Sequence, residues 1–169
     1  EMLVAVAVLM LAIVAPITIA AKSLENARFA REQTTAFFLA QEGIEAAVKH
    51  RNEGALRFFA GTDTTSWDWI DDVLRTANCS TGAPCSFDVN NDLAPFRCDA
   101  GGRTCDIYKV SDLGLVTFAH DSSGEDTPYR REVQMTASGG GLNIVSTVTW
   151  GDGPRQVTLQ TFIYDVYAN

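Results

Sequence analysis

The sequence predicts an α+β fold in which a very long N-terminal α-helix packs on a C-terminal antiparallel β-sheet meander, with loops held by disulfides. Three observations predict it. The first 21 residues carry one charge and lead into an amphipathic helical pattern, three alternating runs end the chain, and four cysteines lie between them. We expect residues 1–22 to form the apolar half of the helix, residues 23–53 its amphipathic half, and residues 54–169 a globular head.

The N-terminal stretch has the length and composition of a membrane-spanning helix. Met2 to Ala21 is a run of 20 uncharged residues between Glu1 and Lys22. Twenty helical residues rise about 30 Å, which is the thickness of the hydrocarbon core of a bilayer. A carboxylate at the end of such a helix is costly in lipid. Two interpretations of Glu1 therefore stay open: an ordinary anchor with the acid at the membrane interface, or an assembly contact with a cation of a neighbouring chain.

The long helix contains one predicted irregularity and one predicted end. Pro16 lacks a backbone N–H and clashes with the carbonyl of Ala12, which predicts a kink or unwinding between these residues at a cost of about 3 kcal/mol. From Ser23 onward the pattern is amphipathic, and Gly54 predicts a helix end near Asn52. The helix would then have about 50 residues and a length of roughly 75 Å.

A short helix and several short strands are predicted between the long helix and the closing strands. Ser66 to Thr76 has a capping residue at its start and an apolar stripe that includes Trp67 and Ile70, which we expect to pack on the long helix. The predicted short strands are Ser86 to Val89, Cys105 to Val110 and Leu115 to Ala119.

Three alternating runs at the end of the chain predict an antiparallel meander: Tyr129 to Ala137, Asn143 to Trp150 and Arg155 to Tyr164. Glycine-rich connections separate them, and these are too short for a crossover between parallel strands. Alternation predicts an apolar inner face, which the amphipathic half of the long helix would cover. The predicted members of this face are Val133, Met135, Ile144, Val148, Trp150, Val157, Leu159 and Ile163.

Four cysteines within 27 residues, Cys79, Cys85, Cys98 and Cys105, indicate two disulfides and an oxidising compartment. A zinc site is the competing interpretation, but neither close pair has the C-x2-C spacing and no histidine is near. Three pairings are possible. Glycine and proline residues within each close pair favour Cys79–Cys85 and Cys98–Cys105. Each small loop would add about 2 kcal/mol to stability.

No pattern typical of a catalytic site occurs in the sequence. It lacks the G-x-S-x-G, H-E-x-x-H, Walker and dinucleotide-binding motifs. Of its two histidines, His50 lies at a basic helix end, where we expect it to be exposed, and His120 lies in a polar loop. We therefore expect neither enzymatic activity nor a cofactor. A membrane-anchored enzyme or binding protein would need a reactive cluster that the sequence does not display. The formal charge of −8 disfavours general nucleic-acid binding.

One acidic loop has a partial calcium-loop pattern. Asp88, Asn90 and Asp92 have the D-x-N-x-D spacing, and Asp99 falls at the twelfth position. Leu93 replaces the turn glycine, however, and an aspartate stands where the usual ligand is a longer glutamate. A solvated Asn/Asp turn is therefore the favoured interpretation, and we expect no metal.

The N-terminal stretch of this chain reads Glu1-Met-Leu-Val-Ala-Val-Ala-Val-Leu-Met-Leu-Ala-Ile-Val-Ala15. It resembles the N-terminal segment of type IV pilins and pseudopilins. In that family a peptidase removes a short basic leader, and the mature chain opens with a phenylalanine-type residue, three more residues and a glutamate. Glu1 matches that glutamate, which implies that four mature residues precede it. Pro16 lies slightly earlier than the family's usual helix-breaking proline. The segment Ala40-Gln-Glu-Gly-Ile-Glu45 and the closing hairpin are also similar to pilin sequences.

The resemblance implies a structural subunit of a type IV pilus filament at the cell surface, with a role in adhesion, motility or uptake. The precursor would be anchored in the cytoplasmic membrane by its single helix, and the pilus assembly machinery would extract it into a helical filament of copies of itself. Glu1 would neutralise the N-terminal amine of an adjacent subunit, and Met2, Leu3, Val4 and Pro16 would belong to the same assembly segment. The alternatives are a pseudopilin of a type II secretion-type machine or a minor pilin at a filament tip. Either would have the same N-terminal helix but would form short or capped assemblies rather than long fibres.

Overall fold

The computed structural model describes residues 2–61, 79, 83–88, 95–98, 101–102, 104–112, 114–151, 153 and 155–164. The fold is α+β: one long helix, α1 (Met2–Phe59), precedes seven antiparallel strands that join in one sheet among the described residues. The chain forms two compact units, Glu1–Thr35 and Ala36–Asn169. The second unit contains the C-terminal half of α1 and the whole described sheet. The predicted short helix from Ser66 to Thr76 lies outside the described residues.

α1 is continuous from Met2 to Phe59 and contains Pro16. The predicted unwinding between Ala12 and Pro16 is therefore not observed. A proline removes a single backbone donor, and the hydrogen bonds before and after it are sufficient to continue the helix.

The helix also ends later than predicted. A glycine inside a helix costs only about 1 kcal/mol relative to alanine, and Gly54 is followed by good helix formers, so the helix passes Asn52 and ends at Phe59. The amide of Ala60 donates to the carbonyl of Leu56 at 2.9 Å. Gly61 then takes a φ of +70°, which is the left-handed conformation typical of a residue after a helix end.

The sheet is organised around one long central strand. Its strands are β1 (Cys85–Phe87), β2 (Pro95–Arg97), β3 (Asp106–Asp112), β4 (Leu115–Ala119), β5 (Glu125–Ser138), β6 (Gly141–Trp150) and β7 (Arg155–Tyr164). β5 pairs with β6 along one side and with both β3 and β1 along the other. β2 extends the sheet beyond β1, β4 extends it beyond β3, and β7 extends it beyond β6.

The predicted C-terminal meander is confirmed. β5 pairs with β6 in continuous register from Tyr129 opposite Trp150 to Ser138 opposite Gly141. β6 pairs with β7 in the same way over ten residue pairs. β5 begins earlier than predicted, at Glu125, because its first residues pair with β3. β2 was not predicted, since a three-residue strand inside a polar loop shows no alternation.

The predicted inner face of the sheet is confirmed where α1 covers it. Val133, Ile144 and Val148 are fully buried, and Met135, Trp150 and Ile163 are nearly so. The two predicted members on β7, Val157 and Leu159, are only partly buried. α1 contributes mainly small side chains to this core, namely Ala36, Leu39, Ala40, Ala46 and Ala47. Small side chains allow the helix to approach the sheet closely.

Both predicted disulfides are present. Cys79 pairs with Cys85 at a Cα–Cα distance of 5.8 Å, and Cys98 pairs with Cys105 at 5.0 Å. The first bond holds the start of β1, and the second joins the end of β2 to the start of β3. All four cysteines are buried, so the disulfides are part of the core as well as links between loops.

Candidate functional site

The apolar half of α1 is exposed on all sides. Between Met2 and Ala21 the one residue with a side-chain hydrogen-bonding group is Thr18. Every side chain described in this range is exposed, for example Met2 at 88% and Leu3 at 86%. A helix that is apolar all round is normally buried in protein or in lipid. The exposed apolar surface therefore requires a partner, because soluble proteins rarely leave so large a patch in water.

This segment is long and apolar enough to cross a membrane. A signal sequence has the same length and composition, and what these two properties show is one helix that could anchor the chain in a membrane. Of the predicted assembly residues, Met2, Leu3 and Val4 are exposed on this segment and Pro16 lies inside the helix. Glu1 lies outside the described residues.

A buried arginine, Arg131 of β5, connects the sheet to the C-terminal half of α1. Its side chain is 1% exposed. Nη1 donates to Oε2 of Glu42 at 2.7 Å and to the carbonyl oxygen of Leu39 at 3.3 Å. Both acceptors belong to α1. A single nitrogen of Arg131 on the sheet therefore hydrogen-bonds two groups that lie close together on the helix.

The remaining donors of Arg131 are also satisfied. Nε donates to Oγ of Ser86 at 3.3 Å. Nη2 donates to the carbonyl oxygen of Phe87 at 3.0 Å and to Nε2 of His120 at 3.3 Å. A guanidinium has five N–H donors, and here each has an acceptor. We call Arg131, Glu42, Ser86 and His120 the arginine cluster; it links α1, β1, β5 and the residue that follows β4.

The hydrogen bonds of His120 define its tautomer. Nδ1 lies 2.9 Å from the carbonyl oxygen of Asp106, which can only accept, so Nδ1 carries the proton. Nε2 faces the guanidinium of Arg131, which can only donate, so Nε2 is the acceptor. Oγ of Ser86 lies 2.7 Å from the same nitrogen and donates to it. The imidazole is therefore neutral, and the ring of Phe96 packs against it at 5.1 Å between centroids.

Ser86 and His120 are a hydroxyl and an imidazole at hydrogen-bonding distance, which is also the arrangement of an activated serine nucleophile. Two features identify the pair as structural. Ser86 is fully buried, so a substrate cannot reach its Oγ. The same oxygen accepts a hydrogen bond from the guanidinium of Arg131, which lowers its nucleophilicity.

Burial and the neighbouring acid act in opposite directions on Arg131. Removal of the guanidinium from water lowers the pKa of Arg131, whereas the nearby carboxylates of Glu42 and Asp88 raise it. The pKa of an arginine in water lies far above neutrality, so the side chain stays charged at neutral pH. A charge in this position is tolerated because an opposite charge and four further acceptors replace its hydration.

Gly43 lies where α1 packs closely on the sheet. A Cβ atom at this position would stand 2.6 Å from Oγ of Ser146 and 3.2 Å from Cδ of Arg131. A Cγ of Val133 would also be 3.2 Å away. The backbone of α1 therefore packs closely against side chains of β5 and β6 beside the arginine cluster, and a side chain at position 43 would require these neighbours or the helix to shift.

Of this cluster, His120 alone was considered from the sequence, as a loop residue, although part of the signal for Arg131 and Glu42 was present. Arg131 lies two and four residues before Val133 and Met135. Because side chains alternate along a strand, it belongs to the same predicted inner face of β5. Glu42 lies two residues after Ala40 and shares the buried side of α1. The pairing of these two charges depends on how the helix sits on the sheet, which no local pattern encodes.

Within the part of the chain that the structure describes, no group of three or more histidine, cysteine, aspartate or glutamate residues could hold a metal ion. Of the calcium-loop candidates, Asp88 directly follows β1 and contributes to the field at Arg131. Asn90, Asp92 and Asp99 lie outside the described residues, so the calcium interpretation stays untested.

No protein-family model, no curated protein and no solved structure matches this chain. Its functional assignment therefore rests on its own residues and geometry.

Proposed function

We propose that this chain is a structural subunit of a type IV pilus-like filament, which polymerises through its N-terminal helix at the cell surface. The observation that carries the proposal is α1 itself. One continuous helix offers an exposed apolar surface from Met2 to Ala21, and its C-terminal half belongs to the core of an α+β head. An N-terminal helix of this kind has two compatible environments, a bilayer and a bundle of identical helices.

The first environment is the cytoplasmic membrane. A run of 20 uncharged residues matches the thickness of the hydrocarbon core, so the precursor is anchored by this helix before assembly. The two disulfides support a head that lies in an oxidising compartment, on the outer side of that membrane. Lys22, the first cationic residue after the apolar run, then stands at the membrane surface.

The second environment is the core of a filament. Alanines are interspersed among larger apolar residues along the exposed helix, and small side chains allow helices to approach each other closely. Burial of Glu1 between helices requires a compensating charge, because an uncompensated carboxylate in an apolar medium is strongly unfavourable. The N-terminal amine of a neighbouring copy supplies that charge. Because Glu1 must lie beside this amine, the pair sets the axial register of the subunits.

The test replaces Glu1 and measures filaments. We expect Glu1→Ala and Glu1→Gln to abolish filaments in sheared cell-surface material, as seen by electron microscopy and by mass spectrometry of this chain. The matched control is Glu25→Gln, which removes an acid from an exposed position of the same helix. Intact disulfides in the Glu1 variants show that the head still folds. Wild-type filament yield from either Glu1 variant, or wild-type filaments that lack this chain, would contradict the proposal.

A further inference from the structure

β7 is the longest edge strand of the described sheet. Its ten residues pair with β6, and none of the described strands pairs with its other side. The other two edge strands are protected by features that natural sheets use against edge-to-edge association. β2 has three residues and begins with Pro95, and β4 has five residues. β7 is neither short nor interrupted, and its register contains no bulge.

The sequence of β7 also lacks the charges that protect a sheet edge. Gln156 to Tyr164 is a run of nine residues without Asp, Glu, Lys, Arg, Pro or Gly, and most of them favour strands. The chain as a whole has a formal charge of −8, and the residues that carry it lie outside this run. Two copies can therefore approach along β7 without opposing like charges.

The core of the head is incompletely covered beside β7. Val148 and Ser146 of β6 are fully buried, but the residues opposite them on β7, Val157 and Leu159, are only partly buried. The inner face of the sheet is therefore buried at β6 and only partly buried at β7. On the outer face the rings of Phe162 and Tyr164 contact each other, with the side chain of Tyr164 67% exposed. A further strand beside β7 would cover apolar atoms on both faces.

We propose that the open edge of β7 binds β7 of a second copy of this chain, antiparallel, so that two sheets become one. Two identical antiparallel strands are related by a twofold axis perpendicular to the sheet, which brings equivalent faces side by side. Backbone hydrogen bonds supply the affinity, and Val157 and Leu159 gain cover. The contact forms between two copies without a filament. A twofold contact closes after two copies, so in a filament it joins subunits of neighbouring filaments.

The experiment uses cysteine cross-linking of the full chain in detergent. The four native cysteines are paired, so an introduced cysteine supplies the free thiol. The variants are Thr158→Cys, Gln160→Cys and the two combined, which cover the three central registers of an antiparallel pair. Residues that face each other across such a pair have Cα atoms about 4.5–5.5 Å apart, within the range of a disulfide. Gln134→Cys, exposed on the outer face of β5 away from the edge, is the matched control.

We expect mild oxidation to give a disulfide dimer in at least one β7 variant, at about ten times the yield of the Gln134→Cys control. Adding Thr158→Lys to Gln160→Cys should remove the dimer, because a charge on the edge opposes strand pairing, whereas adding Thr136→Lys on β5 should not. Equal yields in the β7 and β5 variants would overturn the proposal. A greater yield from Val116→Cys would assign the contact to β4 instead. The cross-link is measured without filaments, so its failure is distinct from failure of the proposed function.

Discussion

Nη1 of Arg131 lies 2.7 Å from Oε2 of Glu42, and this ion pair joins the central strand of the sheet to the long helix. The two partners differ in their surroundings: the arginine is 1% exposed and the glutamate 35%. Solvent therefore reaches the acid and not the base. The arginine depends on its protein acceptors for the hydration that it has lost, and the helix supplies two of them.

Removal of the acid should destabilise the head. We expect Glu42→Ala to lower the free energy of unfolding by about 3 kcal/mol, at the lower end of the range for breaking a buried ion pair because solvent reaches Glu42. Arg131→Lys should also destabilise the head, by about 2 kcal/mol, because an ammonium cannot replace the five donors of the guanidinium. The measurement is denaturant unfolding of the full chain in detergent, followed by tryptophan fluorescence.

Arg130 provides the matched control for these variants. It is adjacent to Arg131 in sequence but 42% exposed, with surface ion pairs to Glu132 at 3.0 Å and Asp106 at 3.7 Å. Surface pairs contribute little, so Arg130→Lys should change the free energy of unfolding by less than about 1 kcal/mol. Equal effects of the lysine substitutions at positions 130 and 131 would contradict the structural role of the arginine cluster.

Gly43→Ala should destabilise the protein, against the usual rule for a helix interior. Alanine is ordinarily favoured over glycine there by about 1 kcal/mol. Here the added Cβ would meet Oγ of Ser146 at 2.6 Å, so we expect a net loss of about 1–3 kcal/mol from overpacking.

A double-mutant cycle with Ser146→Ala tests the cause of that loss. Oγ of Ser146 is buried and has no hydrogen-bond partner in the described part of the chain, so Ser146→Ala alone should be neutral or stabilising. It also removes the atom nearest to the new methyl group, so the double variant should recover part of the stability lost in Gly43→Ala. Strictly additive effects would show that the contact is not responsible.

His120 should be a neutral imidazole with its proton on Nδ1. The carbonyl of Asp106 and the guanidinium of Arg131 impose this tautomer from opposite sides of the ring. Nitrogen-15 NMR of the folded chain near neutral pH distinguishes the two neutral tautomers and the imidazolium. A signal from the Nε2–H tautomer would mean that Arg131 does not donate to His120.

The disulfide between Cys98 and Cys105 should contribute about 2 kcal/mol to the free energy of unfolding, as expected for closure of a small loop. Replacing both cysteines by serine should lower the denaturation midpoint accordingly. Reducing agent should then cause a smaller further loss in the variant than in the wild-type chain, because only Cys79–Cys85 is left to break. An unchanged midpoint in the variant would contradict this contribution.

The layout of the fold follows from local signals, and the sequence was sufficient to predict it. Alternation placed Val133 and Ile144 on the inner face, and the turn residues between close cysteines indicated both disulfide pairs. Two local signals were misleading. Pro16 and Gly54 are unfavourable in a helix, but each penalty is a few kcal/mol at most and the rest of the helix outweighs it.

The arginine cluster could not be predicted in the same way, because it depends on contacts between residues distant in sequence. Arg131 and Glu42 are 89 positions apart, and Ser86 and His120 are 34 apart. Strand alternation predicts that Arg131 lies on the inner face. Which acid contacts it depends on how α1 packs on the sheet. β2 escaped prediction for a related reason: its three residues form a strand because β1 lies beside them.

The close contact at Gly43 determines which side chains of α1 are exposed on the surface of the head. A helix displaced by one residue moves 1.5 Å along its axis and turns by about 100°. Such a step would bring a bulky side chain onto Ser146 and withdraw Glu42 and the carbonyl of Leu39 from Arg131. The head thus fixes the rotational phase of α1, so the exposed aromatic pair Phe37 and Phe38 always points in one direction from it.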